Sequence, residues 1–179
     1  KAWANGDTPF DPVPAERAYT LLESALNWAV ASDDFAPLLL HSAVLEREGH
    51  ALLMPAPTGS GKSTLCAALA WRGWRLLSDE MALFSLEDGR LLANLRPVSL
   101  KNEAIDVIAA FEPGARLTRV YRGTPKGDVA YMRAPPGAVA RLRETTMPAL
   151  VIAPAYAAGS PTVVKPMTKA DGFRLLTDN

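Results

Sequence analysis

The stretch Ala56-Pro-Thr-Gly-Ser-Gly-Lys-Ser63 lies between the apolar run Ala51-Leu-Leu-Met54 and the segment Thr64-Leu-Cys-Ala-Ala-Leu-Ala-Trp71, which is rich in helix formers. The chain must therefore pass from a strand, through a glycine turn, into a helix, which commits it to an α/β fold. Gly59 and Gly61 let successive backbone N–H groups point inward at an anion, and the following helix presents its partial positive end to the same place. Lys62 adds a full positive charge, and the hydroxyl of Ser63 suits Mg²⁺. Thr58, Gly59, Ser60, Gly61, Lys62, Ser63 and Thr64 are thus the expected phosphate-binding residues, with ATP and Mg²⁺ the expected ligands. Ala56 stands where the usual pattern has glycine, but the inner glycines make the closest backbone approach.

At 179 residues and 49% hydrophobic, the chain is large enough for one good core rather than two domains. Lys plus Arg equals Asp plus Glu at 19 each, so no overall field draws in nucleic acid or an anionic membrane, and neither partner is expected. The one cysteine, Cys66, excludes an internal disulfide and a cysteine-rich metal site; it falls where the helix after the loop needs a small apolar residue. With no apolar run approaching the ~18 residues of a membrane span, a cytoplasmic protein is expected. The chain starts at Lys1 and stops at Asn179 without a clear end, as a fragment truncated at its C-terminus would.

Residues 1–34 are expected to form an N-terminal loop and a helix from Pro14 to about Ser32, ended by Asp33 and Asp34; residues 35–179 form the core. In that core, Phe35 to Leu45 reads as a strand, returned antiparallel by Glu46-Arg-Glu-Gly49 into Ala51 to Met54, so that a hairpin in a mixed sheet flanked by helices delivers the glycine loop. Trp74 to Leu77 and Met81 to Leu86 with Leu91 to Leu95 read as strands, and Ala104 to Phe111 as a helix that Asn102 would cap. Pro113 to Val139 holds short β pieces; Met147 to Ile152 and Thr162 to Lys165 read as strands, and a helix follows from Thr168.

Asp79 follows Lys62 by 17 residues, room for one helix, one turn and one strand. It is therefore expected at the carboxyl end of a strand, on the edge that lines the ligand crevice in parallel α/β sheets. An acid there can hold Mg²⁺, take a proton from an acceptor hydroxyl or orient a water. Asp79 and Glu80, if extended, point to opposite faces. His41 lies in the apolar run Leu38-Leu-Leu-His-Ser-Ala-Val-Leu45, whose strand pairs with the one feeding the loop, and it could orient Asp79 and tune its proton affinity. Lys101, in a loop opening a helix, and Lys126, in the lid-like turn Gly123-Thr-Pro-Lys-Gly127, are the other cations that could reach phosphate. Arg72 and Arg75 are expected in solvent, and Trp71 and Trp74 in packing.

Together, Leu40-His-Ser-Ala-Val-Leu45, Pro57-Thr-Gly-Ser-Gly-Lys-Ser-Thr64 and Arg72-Gly-Trp-Arg-Leu-Leu-Ser-Asp-Glu80 resemble the catalytic core of HPr kinase/phosphorylase. With Pro97-Val-Ser-Leu-Lys-Asn-Glu103 the chain is still more similar to the HPr-kinase-related bacterial kinases, over roughly residues 15 to 155. The resemblance implies a kinase in which Asp79 deprotonates the acceptor hydroxyl with His41 as its partner, while Glu80 and Ser63 hold Mg²⁺. HPr kinase has aspartate at the position of Glu80. The implied acceptor is a protein serine, and because HPr kinases assemble as hexamers a homo-oligomer is left open. The alternatives are a small-molecule kinase and an ATP-hydrolysing or nucleotide-sensing switch; the Leu-Ser-Gly-Gly signature of ABC-type ATPases is absent. An acceptor presented by a macromolecule should meet a shallow groove at Asp79, since no tract resembles the long helical lid of small-molecule kinases.

Overall fold

The computed structural model describes residues 9–32 and 38–178. The apolar runs around the glycine loop are strands buried on both faces, so their side chains feed two separate cores by simple alternation. Ala43, Leu45, Leu52, Met54 and Leu76 join the core beneath the helix after the loop. Val44, Ala51, Leu53 and Leu77 join a second core on the opposite face.

A single 3-10 turn, Ala15–Arg17, leads into helix α1, Ala18–Ala31. Then come β1 (Leu38–His41), β2 (Ala43–Arg47), β3 (His50–Met54), α2 (Lys62–Ala70), β4 (Arg75–Ser78), β5 (Met81–Phe84) and β6 (Leu91–Leu92). The second half holds β7 (Val98–Lys101), α3 (Glu103–Phe111), β8 (Tyr121–Thr124), β9 (Gly127–Met132), α4 (Pro136–Ala140), β10 (Met147–Val151) and α5 (Lys169–Thr177). The protein is a mixed α/β structure with three sheets, ordered β10-β3-β2-β4, β1-β5-β6 and β7-β9-β8. In the first, β10 runs parallel to β3, while β2 is antiparallel to both β3 and β4. Hence β3 and β4 point the same way although β2 lies between them, and the glycine loop and Asp79 emerge at one edge. Among the described residues no helix is long and apolar enough to cross a membrane.

Several expectations need correction. The described part of the strand expected over 35–45 breaks at Ser42, and β1 and β2 belong to different sheets; residues 35–37, like Asp33 and Asp34, lie outside the described residues. The buried Ser42 donates its N–H to the Glu80 carbonyl at 3.1 Å, which turns the chain from one sheet into the next. Lys101 closes strand β7 instead of sitting in a loop, because β9 supplies the pairing that local sequence does not show. Asn102 does not cap α3 with its side chain: its Oδ1 accepts from the Asp128 N–H at 3.1 Å, and its own N–H donates to the Asp128 carbonyl at 2.9 Å. The lid-like turn at Lys126 is the β8–β9 hairpin, held down by that double tie. The expected strand at Thr162 to Lys165 is irregular, with Val163 and Val164 exposed.

Arg75 is the other reversal. It is buried, donating from Nε to Glu46 Oε2 at 2.6 Å and from Nη1 to the carbonyls of Arg141 and Glu144, both at 2.9 Å. Cys66, Trp71 and Trp74 pack in or against the core as expected.

Candidate functional site

The loop between β3 and α2 turns on Gly59 and Gly61, each at φ +87°, a left-handed backbone that a side chain would strain. The Ser60 N–H bonds to the Pro57 carbonyl at 3.3 Å, and the Gly61 carbonyl accepts the Leu65 N–H at 3.0 Å, which joins the loop to the helix without a break. Ser60 Oγ is buried and finds no partner among the described residues. The chain that leaves β10 crosses this loop: the Tyr156 N–H donates to the Ser60 carbonyl at 3.0 Å. A Cβ on Gly61 would come within 3.0 Å of the Tyr156 Cβ, so glycine is required there on two grounds. Sequence does not single out Tyr156, since nothing local in Pro154-Ala-Tyr-Ala-Ala158 distinguishes it.

Lys62 is 7% exposed, and its Nζ lies 2.8 Å from His41 Nε2. Burial pushes the ammonium below its ordinary proton affinity, and Lys101 pushes the same way, while Asp79 and Glu80 oppose the shift. The ring nitrogen that meets Lys62 must accept, so the imidazole is neutral with its proton on Nδ1. Burial lowers the His41 pKa first, and the charges of Lys62, Lys101 and Lys126 lower it further against the pull of Glu80. At this nitrogen His41 meets Lys62. Lys101 and Lys126, brought in by β7 and the β8–β9 hairpin, complete a cluster of cations around it.

Asp79 is 3% exposed at the end of β4. Its Oδ2 accepts the Ser99 N–H at 3.2 Å, while Oδ1 has no partner among the described residues. Burial, then the neighbouring Glu80 charge, raises its pKa from 3.8 to about 6; Ser63, Ser99 and Lys62 act in the other direction without prevailing. Glu80 does not point away from Asp79 as expected of an extended pair. Both are bends, and both line one cavity of about 270 Å³. Ser78 Oγ fixes this bend by accepting the N–H groups of Glu80 at 3.3 Å and Met81 at 3.0 Å. Asn27 on α1 donates to Glu80 Oε2 at 2.5 Å. At Asp79, the expected site of a shallow groove, α1 and the segment at Phe10–Val13 help to wall a partly open cavity.

The expected donors are oxygens: the Ser63 hydroxyl and the Glu80 carboxylate. Among the described residues no group of three or more His, Cys, Asp and Glu side chains could by itself hold a metal. That fits Mg²⁺ arriving with a nucleotide, because Mg²⁺ is commonly bound by one or two carboxylates together with phosphate oxygens and water. Ser99 and Asn27 contribute to the site through a backbone N–H and a distant helix, which no sequence motif reveals. Comparison with family models, with curated proteins and with solved structures found no match to this chain.

Proposed function

We propose that this protein is an ATP-dependent phosphotransferase that moves a γ-phosphoryl group to a hydroxyl. The observation that carries the reading is Asp79: a buried carboxylate at the strand end beside the glycine loop, lining a cavity, with one oxygen unpartnered among the described residues and a pKa of about 6. A general base works best with a pKa near the operating pH, and this one is tuned by burial to lie there. The left-handed glycines and the N-terminus of α2 supply the phosphate cradle, Lys62 neutralises the phosphoryl oxygens, and Lys101 adds a second cation at the same edge. His41 holds the Lys62 ammonium by accepting from it, which fixes the position of a long, otherwise mobile side chain. Mg²⁺, when bound with ATP at Ser63 and Glu80, would supply charge neutralisation across the phosphates. The resemblance to the HPr-kinase-related kinases implies the same roles for Asp79, Ser63 and Glu80, though it pairs His41 with Asp79 rather than with Lys62.

Labelled ATP tests this reading. Lys62→Ala should abolish measurable nucleotide binding in calorimetry while the domain stays folded. Asp79→Asn should keep ATP binding and lose ~10²- to 10⁴-fold in transfer rate. Transfer at the wild-type rate by Asp79→Asn would show that Asp79 is not the base. The resemblance points to a protein serine as acceptor, and the cavity beside Asp79 favours the alternative, a small-molecule kinase.

A further inference from the structure

We infer that the acceptor is a small hydroxyl compound of monosaccharide or amino-acid size, uncharged or positively charged, seated in the cavity beside Asp79. The inference rests on the phosphotransfer reading and names its substrate. The cavity of about 270 Å³ has room for about nine waters. Its walls come from α1, the segment at residues 10–13, the bend at Asp79 and Glu80, and the β8–β9 hairpin. Asp79 is 3% exposed and lines this cavity, so the proposed base is approached from the cavity side. A serine hydroxyl stands two bonds from its own backbone. To bring that hydroxyl to the Asp79 carboxylate, a protein substrate would have to push main chain between α1 and the hairpin, leaving buried peptide groups to satisfy. A free small molecule has no such obstacle.

The charges on the wall select further. Glu23 and Arg96 are ion-paired with each other, both mostly buried, and so cancel. With Glu80 taken up by Mg²⁺, what remains is Asp11 and Asp79 against Lys126, an excess of carboxylate. An anionic acceptor would meet these acids as well as the γ-phosphate, whereas an amine or a set of neutral hydroxyls would find acceptors on the wall. Apolar side chains such as Leu21 and Val129 line the rest, suiting the carbon face of such a compound. In the transfer the acceptor O–H gives its proton to Asp79 as its oxygen forms a bond to the γ-phosphorus. The bond from that phosphorus to the β–γ bridging oxygen breaks, and ADP leaves with the electron pair.

The test incubates the full chain and γ-labelled ATP with two fractions of an extract of the source cells, an ultrafiltrate of small molecules and the retained macromolecules. The expected result is label transferred to a compound of the ultrafiltrate, with acceptor activity in the part that an anion exchanger does not hold. Label on a protein alone overturns the inference but leaves phosphotransfer standing, and acceptor activity held by the anion exchanger overturns its charge assignment. Label in neither fraction overturns it too; if Lys62→Ala then binds ATP as the wild type does, the phosphotransfer reading falls with it. As an independent check, Ser24→Trp on α1 fills the cavity and should raise the KM for the ultrafiltrate acceptor more than tenfold, with ATP affinity by calorimetry reporting that the loop and fold are intact. An unchanged KM would mean that the acceptor does not occupy this cavity.

Discussion

Replacing Asp79 with asparagine should stabilise the metal-free protein, and by an amount that depends on pH in a direction opposite to that of an ordinary salt-bridged carboxylate. In the fold the carboxyl is buried and its pKa rises from 3.8 to about 6. Below about pH 4 the group holds its proton in both the folded and the unfolded chain, and its ionisation costs nothing. Between those two values the unfolded chain has released the proton while the folded one still binds it, so stability falls as pH rises. Above about pH 6 the full penalty is present, and two pH units at about 1.4 kcal/mol each give about 3 kcal/mol. The asparagine of the variant cannot ionise, so its change in hydrogen bonding to Ser99 adds only an offset that does not vary with pH.

Urea denaturation of wild type and Asp79→Asn in EDTA, at intervals from pH 4 to pH 7.5, reads the difference directly. The gap should widen in favour of the variant by about 3 kcal/mol across the lower part of this range and stay flat above pH 7. Glu80→Gln removes the second cause of the raised pKa, and should lower the upper end of the transition and shrink the gap, while the lower end, set by the unfolded chain, stays near pH 4. A gap that is constant, or that widens as the pH falls, would refute the argument that burial outweighs Ser63, Ser99 and Lys62 at this carboxylate.

Three further outcomes follow from the same geometry. Glu46→Ala leaves the buried Arg75 guanidinium without its carboxylate, 2.6 Å away in the wild type, and should cost about 3–5 kcal/mol in urea denaturation. Gly61→Ala places a side chain at φ +87° against Tyr156; about 1–2 kcal/mol of backbone strain should lower the melting temperature, and ATP binding by calorimetry should weaken as the loop shifts. The His41 ring protons, followed by NMR, should titrate below the ordinary 6.5, because burial and then Lys62 disfavour the imidazolium; stability attributable to this residue is therefore lost as pH falls below 6.5, and in Lys62→Met the midpoint should rise toward that value.

The parts of the site that sequence reveals are those whose chemistry is local. The glycine loop, the hairpin that delivers it and the helix that follows are each specified by neighbouring residues, and all three stand where the pattern puts them. Asp79 reaches the loop edge by a different route from the one its spacing implies. The strand carrying it is not the neighbour of β3 in a parallel sheet; β2 intervenes, and the two strands share a direction only because each is antiparallel to β2. Non-local pairings are hidden from such a reading. Val98-Ser-Leu-Lys101 becomes a strand through β9, and Arg75 is drawn inside by a glutamate 29 residues earlier. The run Leu38 to Leu45 carries no mark at Ser42, because an apolar strand that changes sheets has the same composition as one that does not. Tyr156 and Asn27 enter the site from elements whose own sequence says nothing about it.

The central sheet carries a buried ion pair at one end and, at the other, a buried carboxylate with a buried lysine nearby, and the contrast between them separates architecture from the proposed chemistry. At the hairpin end, Glu46 receives Arg75, Arg141 and the Gly49 N–H, so its lone pairs are taken up and nothing is left for a ligand. At the other end, Asp79 faces Lys62 across the loop, and Oδ1 of Asp79 and Oγ of Ser60 stay unpaired though buried. A buried polar group without a partner costs about 1–3 kcal/mol, which a fold retains where the missing partner is supplied from outside. Among the described residues only one other such atom occurs, Trp71 Nε1, and Trp71 follows the last turn of α2, at the opposite end of that helix from the loop. Sequence composition treats the two pairs alike. What distinguishes them is that one is closed by protein, while the other keeps an unpartnered oxygen at the strand edge where the glycine loop also emerges. That asymmetry is the physical ground for proposing chemistry at Asp79 and assigning Glu46 to the stability of the sheet.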